Sequence, residues 1–268
     1  MSGCSGSKIL DTPRVVPGAA DEILRTLEQF GFEWDGEIVR QSARTDLYQA
    51  SLARLDAAGA CFTCSCSRGE LAALQTMIMA EEDSFYAGTC RNGPQHVDRA
   101  LAVRFRAADS AIEFEDELQG RLVQNVGQSL GDFIIRRRDG LFAYQLAVVV
   151  DDADQQVTQV VRGSDLLSNT PRQILLQQAL QLPRPLYMHL PLLTETDGRK
   201  LSKSQHCGCG YDGVSLPSLC IEPCAGWRQQ PPPELAHVST RELWSWAIRA
   251  WNPKPLRNVR EIRLDTVE

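Results

Sequence analysis

The chain has 268 residues, 43% of them hydrophobic and 23% charged, which is enough for one large domain or two small ones. Its net charge of −6 excludes proteins that hold nucleic acid mainly by overall charge, but it is compatible with RNA binding through a local basic surface. The longest apolar run, Leu146 to Val150, is far shorter than the roughly 20 residues that span a bilayer, and Met1 to Lys8 lacks a signal-peptide core. We therefore expect a cytoplasmic protein without membrane contact.

The N-terminal part predicts two helices. Apolar residues recur at helical spacing from Ala19 to Phe30, and Gly31 is a natural stop after them. A second apolar helical face runs from about Thr45 to Ala58, with Gly59 after its end. Between the two helices, residues 32–40 predict a turn and a short strand.

A strand pattern follows between Leu101 and Val161. Leu101, Val103 and Phe105 alternate with smaller or charged residues, which predicts a half-buried strand with these three side chains inside. Further short strands are expected at residues 112–114, 122–126 and 133–135. The apolar runs 142–150 and 157–161 are interpreted as inner strands joined by an acidic turn.

Helical patterns return towards the C-terminus. Thr170 can cap a helix whose first position suits Pro171. Ser239 with Glu242 three residues later is a capping-box pattern, and we expect the last helix to run from there to about Trp251.

Two lysines lie three residues apart in the segment from Asp197 to Ser204. Flexible backbone around Lys200 and Lys203 suits a loop that closes over a triphosphate and offsets the charge on departing pyrophosphate, although a solvated basic turn is the alternative. Residues 200–204 resemble the KMSKS signature of class I aminoacyl-tRNA synthetases, with Leu201 in the Met position. The resemblance implies that Lys203 binds ATP and that both lysines act in catalysis.

A longer resemblance covers residues 11–204. The segments 142–152 and 160–166 resemble the glutamate-binding half of glutamyl-tRNA synthetases, and the whole stretch is most similar to their short paralogues, the glutamyl-queuosine tRNA(Asp) synthetase family. This implies an α/β, Rossmann-like class I catalytic domain with a zinc-bearing α+β insertion. It also implies activation of glutamate with ATP, accompanied by Mg²⁺, and its transfer to the queuosine base of tRNA(Asp). The part after Ser204 is too short for the anticodon-binding region of a full glutamyl-tRNA synthetase, so charging of tRNA(Glu) is the less favoured activity.

The resemblance assigns Tyr144 and Arg162 to the glutamate substrate. A guanidinium can hold a carboxylate bidentately, and a phenol can donate a hydrogen bond to it. The alternative is a buried tyrosine with a polar contact and a surface arginine, and Asp165 could pair with that arginine instead.

The chain has nine cysteines and no signal sequence, a combination that favours thiols or metal ligands over disulfides. Spacing alone favours a zinc site of four cysteines, Cys61, Cys64, Cys66 and Cys90. The resemblance instead implies the pattern C-x-C followed by Y-x3-C, which falls on Cys64, Cys66, Tyr86 and Cys90. Either set would hold a structural Zn²⁺, because four protein ligands leave no open position. Free buried thiols are the remaining alternative.

A weaker candidate for a second metal site lies near the C-terminus, with no family pattern behind it: His206, Cys207, Cys209, Cys220 and Cys224.

The family pattern is incomplete at the start of the chain. No HIGH-like ATP-binding loop precedes Asp11, and Lys8 aligns with the glutamate that helps recognise the substrate amino group in the family. A reading-frame change near the first codons would explain this. As written, the chain is expected to be impaired in adenylation, which requires ATP and the carboxylate to be positioned together. A non-catalytic zinc-binding fragment and a fragment of a glutamyl-tRNA synthetase acting on tRNA(Glu) are therefore the alternatives.

The predicted organisation has four parts. Residues 1–60 are interpreted as the remnant of a nucleotide-binding fold, and 61–131 as the zinc-knuckle insertion. Residues 132–206 would form the second catalytic half with the lysine loop, and 207–268 an irregular segment and a C-terminal helix. We expect a monomer.

Overall fold

The structure is a computed structural model that describes residues 6–7, 18–78, 85–195, 197–199 and 216–264. Lys8 and both lysines of the predicted phosphate loop, Lys200 and Lys203, lie outside the described residues. The same is true of His206, Cys207 and Cys209 from the second candidate metal set.

Helices cover much of the described chain. They are α1 (Ala19–Gln29), α2 (Thr45–Ala57), α3 (Arg68–Ile78), α4 (Val126–Ser129), α5 (Tyr144–Asp154), α6 (Thr170–Leu180), α7 (Leu216–Gly226) and α8 (Thr240–Ala250). Short 3₁₀ helices lie at Gln41–Ala43, Ser164–Asn169, Pro233–His237 and Lys254–Leu256. No helix within the described ranges combines the length and apolar character needed to cross a bilayer.

The strands are short. They are β1 (Gly6–Ser7), β2 (Val39–Arg40), β3 (Cys61–Cys64), β4 (Ala102–Phe105), β5 (Ala111–Asp116), β6 (Gly120–Asn125), β7 (Phe133–Arg136), β8 (Gln159–Gly163), β9 (Leu186–Leu190), β10 (Leu192–Thr194) and β11 (Glu261–Arg263).

The sheet that carries the site has the order β6-β5-β9-β8. Strands β8 and β9 are parallel and connected through α6, so they form a βαβ unit. The antiparallel hairpin β5–β6 joins this sheet through a parallel contact between Asp116 and Tyr187. A second, antiparallel sheet has the order β3-β4-β7, and the pairs β1-β2 and β10-β11 are parallel.

The described chain contains two buried clusters. In the larger one, helices α2, α5 and α6 pack together and bury large side chains completely, including Tyr48, Leu146 and Ile174. The smaller cluster consists of Phe62, Cys64, Tyr86 and Cys90. Strand β3 contributes to both clusters, with Cys61 in the larger one and Phe62 and Cys64 in the smaller one.

The terminal helices confirm predictions from local signals. Helix α1 ends before Gly31, whose φ of +75° suits glycine after a helix. At α8, Ser239 Oγ accepts from the Glu242 amide, and the Glu242 carboxylate accepts from the Ser239 amide. The predicted capping box is therefore confirmed.

The predicted strand at residues 142–150 is wrong, because this segment begins helix α5. Leu146, Val149 and Val150 are buried at positions three and four apart, which is the spacing of one helical face. In a run composed almost entirely of apolar residues, strand and helix patterns coincide, so the sequence did not distinguish them. Tyr144 consequently begins a helix and does not lie within a strand.

Three smaller predictions also need correction. Thr170 is the first residue of α6 and not its cap, and its hydroxyl accepts a hydrogen bond from Arg162 at 2.8 Å. In β4 the buried set includes Ala102 and Arg104, while Val103 is only half-buried, because Arg104 turns inward to contact Cys64. Within the described chain, β8 is an edge strand of its sheet and the Val161 side chain is 49% exposed, so the prediction of an inner strand at residues 157–161 is wrong there.

Candidate active site and candidate metal centre

Arg162 lies near the carboxyl end of β8, in register with His189 on the neighbouring parallel strand β9. Ligands of parallel α/β sheets bind beyond the carboxyl ends of the strands. Tyr144, the first residue of α5, approaches the same position. The two residues assigned to the substrate are therefore brought together, although they are 18 positions apart.

The guanidinium of Arg162 is held by several acceptors. Its Nη1 donates to the Tyr144 phenol at 3.3 Å, and its Nε donates to His189 Nε2 at 3.0 Å. Its Nη2 donates to Thr170 Oγ1 at 2.8 Å and to Gln173 Oε1 at 2.9 Å. Since a guanidinium is always charged, these contacts fix a positive group at the end of the strand. Such a group can bind a carboxylate.

A buried carboxylate contacts the His189 ring nitrogen that is turned away from Arg162. The Asp116 carboxylate approaches His189 Nδ1 at 2.6 Å, and both side chains are 0% exposed. Burial opposes ionisation of Asp116, but hydrogen bonds from the His189 ring and from the backbone amides of Gln119 and His189 outweigh it and lower the carboxyl pKa. Asp116 is therefore ionised at neutral pH.

Sequence reasoning missed His189, Thr170 and Gln173 as neighbours of Arg162, and Asp116 as the residue that contacts His189. One signal was available for His189, which lies in the middle of the apolar run of β9 and is fully buried. A histidine at such a position needs hydrogen-bond partners inside the protein. The partners themselves come from β5, β8 and α6, and local patterns do not reveal those contacts.

The candidate metal centre lies at the end of β3. The sulfur atoms of Cys64, Cys66 and Cys90 all lie within 4.8 Å of one another, and those of Cys66 and Cys90 are 3.5 Å apart. A tetrahedral zinc ion with Zn–S bonds of about 2.3 Å places its sulfur ligands about 3.8 Å apart. The three thiols thus fit a zinc ion without a change of fold.

Tyr86 occupies the fourth side of this cluster. Its phenol oxygen lies 3.5 Å from Cys64 Sγ and 3.9 Å from Cys66 Sγ, and it accepts from the Cys90 amide at 2.7 Å. A bridge to Gly131 places Tyr86, and a Cβ atom on Gly131 would lie 2.2 Å from the Tyr86 carbonyl oxygen. Only glycine fits there.

Cys61 is not part of the cluster. It lies at the other end of β3 from Cys64, and its sulfur is 3.7 Å from Asp56 Oδ1. The set of four cysteines favoured by spacing is therefore not brought together, whereas the set containing Tyr86 is.

Hydrogen-bond donors face two of the three thiols in the cluster. The buried Arg104 donates from Nε to Cys64 Sγ at 3.3 Å, and its guanidinium lies 3.8 Å from the centre of the Tyr86 ring. Burial opposes ionisation of Cys90, but hydrogen bonds from the backbone of Ser65 and Gln95 lower its pKa to about 6. These donors suit a thiolate at Cys90, the form of cysteine that binds metal, whereas burial and the neighbouring thiols raise the pKa of Cys66 to about 12.

For the second candidate metal set, the structure describes Cys220 and Cys224 on α7. Burial raises the pKa of the Cys220 thiol to about 11, which disfavours the thiolate form. The set remains a prediction.

Residues 10–208 match the family model for tRNA synthetases class I (E and Q), catalytic domain. The chain is similar to the glutamyl-Q tRNA(Asp) synthetase of Ectopseudomonas mendocina, with 48% identity over 248 residues, covering 91% of this chain and 79% of the relative. A protein of the same name from Geobacter sulfurreducens is 46% identical over 252 residues, covering 92% of this chain and 80% of the relative.

The fold is similar to that of a crystallised glutamate tRNA ligase from Elizabethkingia meningosepticum in complex with its amino acid. The TM-score is 0.73 at 24% identity, and the match covers 96% of this chain but 59% of the ligase. This chain therefore spans less than two thirds of that ligase. The likeness shows the fold, an α/β class I catalytic domain.

Proposed function

Because this chain belongs to the glutamyl-Q tRNA(Asp) synthetases, a family with a class I tRNA synthetase catalytic domain, we propose that it activates glutamate with ATP and transfers it to the queuosine base of tRNA(Asp). In this reaction a glutamate carboxylate attacks the α-phosphorus of ATP and releases pyrophosphate. A hydroxyl of queuosine then takes the glutamyl group and releases AMP. The observation that carries the proposal is the fixed guanidinium of Arg162 beside Tyr144.

Arg162 and Tyr144 suit a carboxylate better than an amide. A guanidinium only donates hydrogen bonds, so either oxygen of a carboxylate can accept from Arg162 Nη1. The NH₂ group of glutamine also only donates, so it would place one N–H group against another. The Tyr144 oxygen accepts from Arg162, and a phenol can also donate a hydrogen bond to a carboxylate. Glutamate has two carboxylates, and one can stay on Arg162 while the other reacts.

We propose that Lys203, with Lys200, contacts the ATP phosphates, with Mg²⁺ bound to the nucleotide. Two ammonium groups next to the phosphates would offset the negative charge that develops on departing pyrophosphate. This proposal is supported by the KLSKS segment and by the family match, which extends to residue 208.

We also propose that Cys64, Cys66, Tyr86 and Cys90 hold a structural zinc ion. The proposal is supported by the packing of the three sulfur atoms and the phenol, and by the donors from Arg104 and the backbone. A closed set of four protein ligands leaves no position for substrate. The ion would add stability to the smaller buried cluster, which contains Phe62 and three of the four ligands.

Transfer of labelled glutamate to purified tRNA tests the function. We expect labelling of tRNA(Asp) that contains queuosine and none of tRNA(Asp) from cells unable to make queuosine, which is the matched control. Labelling of tRNA(Glu) regardless of queuosine would favour a glutamyl-tRNA synthetase activity. Folded, zinc-loaded protein that labels no tRNA and shows no glutamate-dependent ATP–pyrophosphate exchange would favour the non-catalytic fragment.

A further inference from the structure

The Asp116–His189 pair connects the interior of the sheet to Arg162. Asp116 ends β5, and its Oδ1 accepts from the backbone amides of Leu118, Gln119 and His189 at 2.8–3.2 Å. Its Oδ2 faces His189 Nδ1 at 2.6 Å. The hydrogen bonds therefore fix the carboxylate, which in turn orients the imidazole ring.

The neighbours of His189 determine its tautomer. Arg162 can only donate, so His189 Nε2, 3.0 Å from Arg162 Nε, is the unprotonated acceptor. Thr170 Oγ1 lies 3.3 Å from the same nitrogen and, while accepting from Arg162 Nη2, can direct its own hydrogen to it. The ring proton then lies on Nδ1 and points to Asp116. A doubly protonated ring would direct Nε2–H against the Nε–H group of Arg162. The arrangement thus requires a neutral imidazole in the Nδ1–H form.

This arrangement separates the buried anion from the guanidinium. A carboxylate in direct contact with Arg162 would occupy its fork and compete with an anionic substrate. The neutral imidazole instead fixes the orientation of the Arg162 guanidinium without placing a negative charge next to it. The positive charge of Arg162 can therefore attract the substrate carboxylate. Nε and Nη2 are held by buried acceptors, His189, Thr170 and Gln173, whereas Tyr144, the acceptor of Nη1, is only half-buried.

We propose that Asp116 and His189 are positioning residues that fix the Arg162 guanidinium in the orientation that binds the substrate carboxylate. Asp116 acts by holding His189 in the Nδ1–H tautomer. The substrate part of this inference rests on the proposed function, since that function supplies the carboxylate.

The first test is the tautomer itself. ¹⁵N NMR of protein labelled at histidine and arginine should show a protonated Nδ1 and an unprotonated Nε2 for His189, assigned by loss of its signals in His189→Gln. The Arg162 Nε–H signal is assigned in the same way with Arg162→Lys. Asp116→Asn keeps an oxygen for the backbone amides but offers an NH₂ group to His189 Nδ1. In this variant we expect the proton to move to Nε2 and the Arg162 Nε–H signal to shift.

The second test measures glutamate. In Asp116→Asn, the KM for glutamate in ATP–pyrophosphate exchange should rise roughly tenfold or more, the loss expected for one hydrogen bond to a charged group. The KM for ATP should stay within about twofold, because the perturbed atoms contact the amino-acid side of the site. Thermal unfolding of the variant checks that the fold is retained.

A double-mutant cycle separates positioning from simple structural damage. His189→Gln places an amide oxygen near the position of Nε2, and this acceptor does not depend on a ring tautomer. Asp116→Asn should therefore have little further effect on the KM for glutamate in the His189→Gln background. A structural role would instead give effects that add.

The outcomes distinguish this inference from the function on which it rests. Wild-type protein without glutamate-dependent exchange would overturn the proposed function. The positioning role alone is overturned by a wild-type His189 protonated on Nε2, by an unchanged Arg162 Nε–H signal in Asp116→Asn, or by additive effects in the cycle.

Discussion

Replacing Arg162 with lysine keeps the positive charge but removes the planar fork. In the structure this side chain donates through Nε, Nη1 and Nη2 to four different side chains, and a single ammonium group cannot reach all of them. We therefore expect Arg162→Lys to bind glutamate much more weakly than the wild type, although the formal charge is unchanged.

The size of the effect follows from the number of lost hydrogen bonds. Because Nε and Nη2 donate to the buried acceptors, Nη1 makes the charge-assisted bond to the carboxylate, and a lysine whose three N–H groups face the same acceptors loses that bond. Each bond to a charged group contributes about 1.5–3 kcal/mol, so the loss of one weakens glutamate binding roughly 10- to 150-fold. The fold should also lose some stability, because Thr170 Oγ1 and Gln173 Oε1 are buried and lose their donor.

Calorimetry with glutamate and the KM for glutamate in ATP–pyrophosphate exchange measure this loss. Arg121→Lys is the matched control, since Arg121 is 65% exposed, pairs with Glu113 on the surface, and should change affinity by less than about twofold. An Arg162→Lys protein that binds glutamate within about threefold of the wild type would refute the assignment of Arg162 to the substrate.

Further predictions concern the metal, the fold and pH. Cys64→Ser should lose bound zinc in metal analysis while Cys61→Ser retains it; equal zinc content in both would contradict the ligand set. Ser239→Ala should lower the free energy of unfolding in urea by about 1 kcal/mol, whereas Ser245→Ala, which removes a mid-helix hydroxyl, should change it by less than about 0.5 kcal/mol. Because the pKa of Asp116 is lowered in the fold, its ionisation stabilises the protein above about pH 4, and this contribution is lost as the pH falls through the lowered pKa. Urea unfolding between pH 3 and 7 should accordingly show less acid destabilisation in Asp116→Asn, and an unchanged acid dependence would count against the lowered pKa.

Local signals predicted the elements that local interactions determine. Helix α8 was predicted because Ser239 and Glu242 satisfy its first turn within four residues, and the end of α1 was predicted from Gly31. Helix α5 was missed because its burial comes from packing against α2 and α6, which local spacing does not contain. An apolar run indicates burial, but tertiary contacts decide whether it is a helix or a strand.

The site shows the same division. Tyr144 and Arg162 were assigned to the candidate site by the family resemblance, and Cys64 with Cys66 are favoured as ligands by their close spacing. The residues that orient Arg162 are distant in sequence, since His189 lies 27 positions from it and Asp116 lies 73 positions from His189. Only the pairing of β5, β8 and β9 brings them together. The exclusion of Cys61 likewise depends on the direction of β3 and not on spacing.

A crystal structure with bound glutamate is the most direct test of the assignment of Arg162 and Tyr144 to the substrate. We expect one glutamate carboxylate within hydrogen-bond distance of the Arg162 guanidinium and the Tyr144 hydroxyl, with His189 Nε2 still accepting from Arg162 Nε. Glutamate bound elsewhere, or Arg162 without contact to either carboxylate, would contradict it.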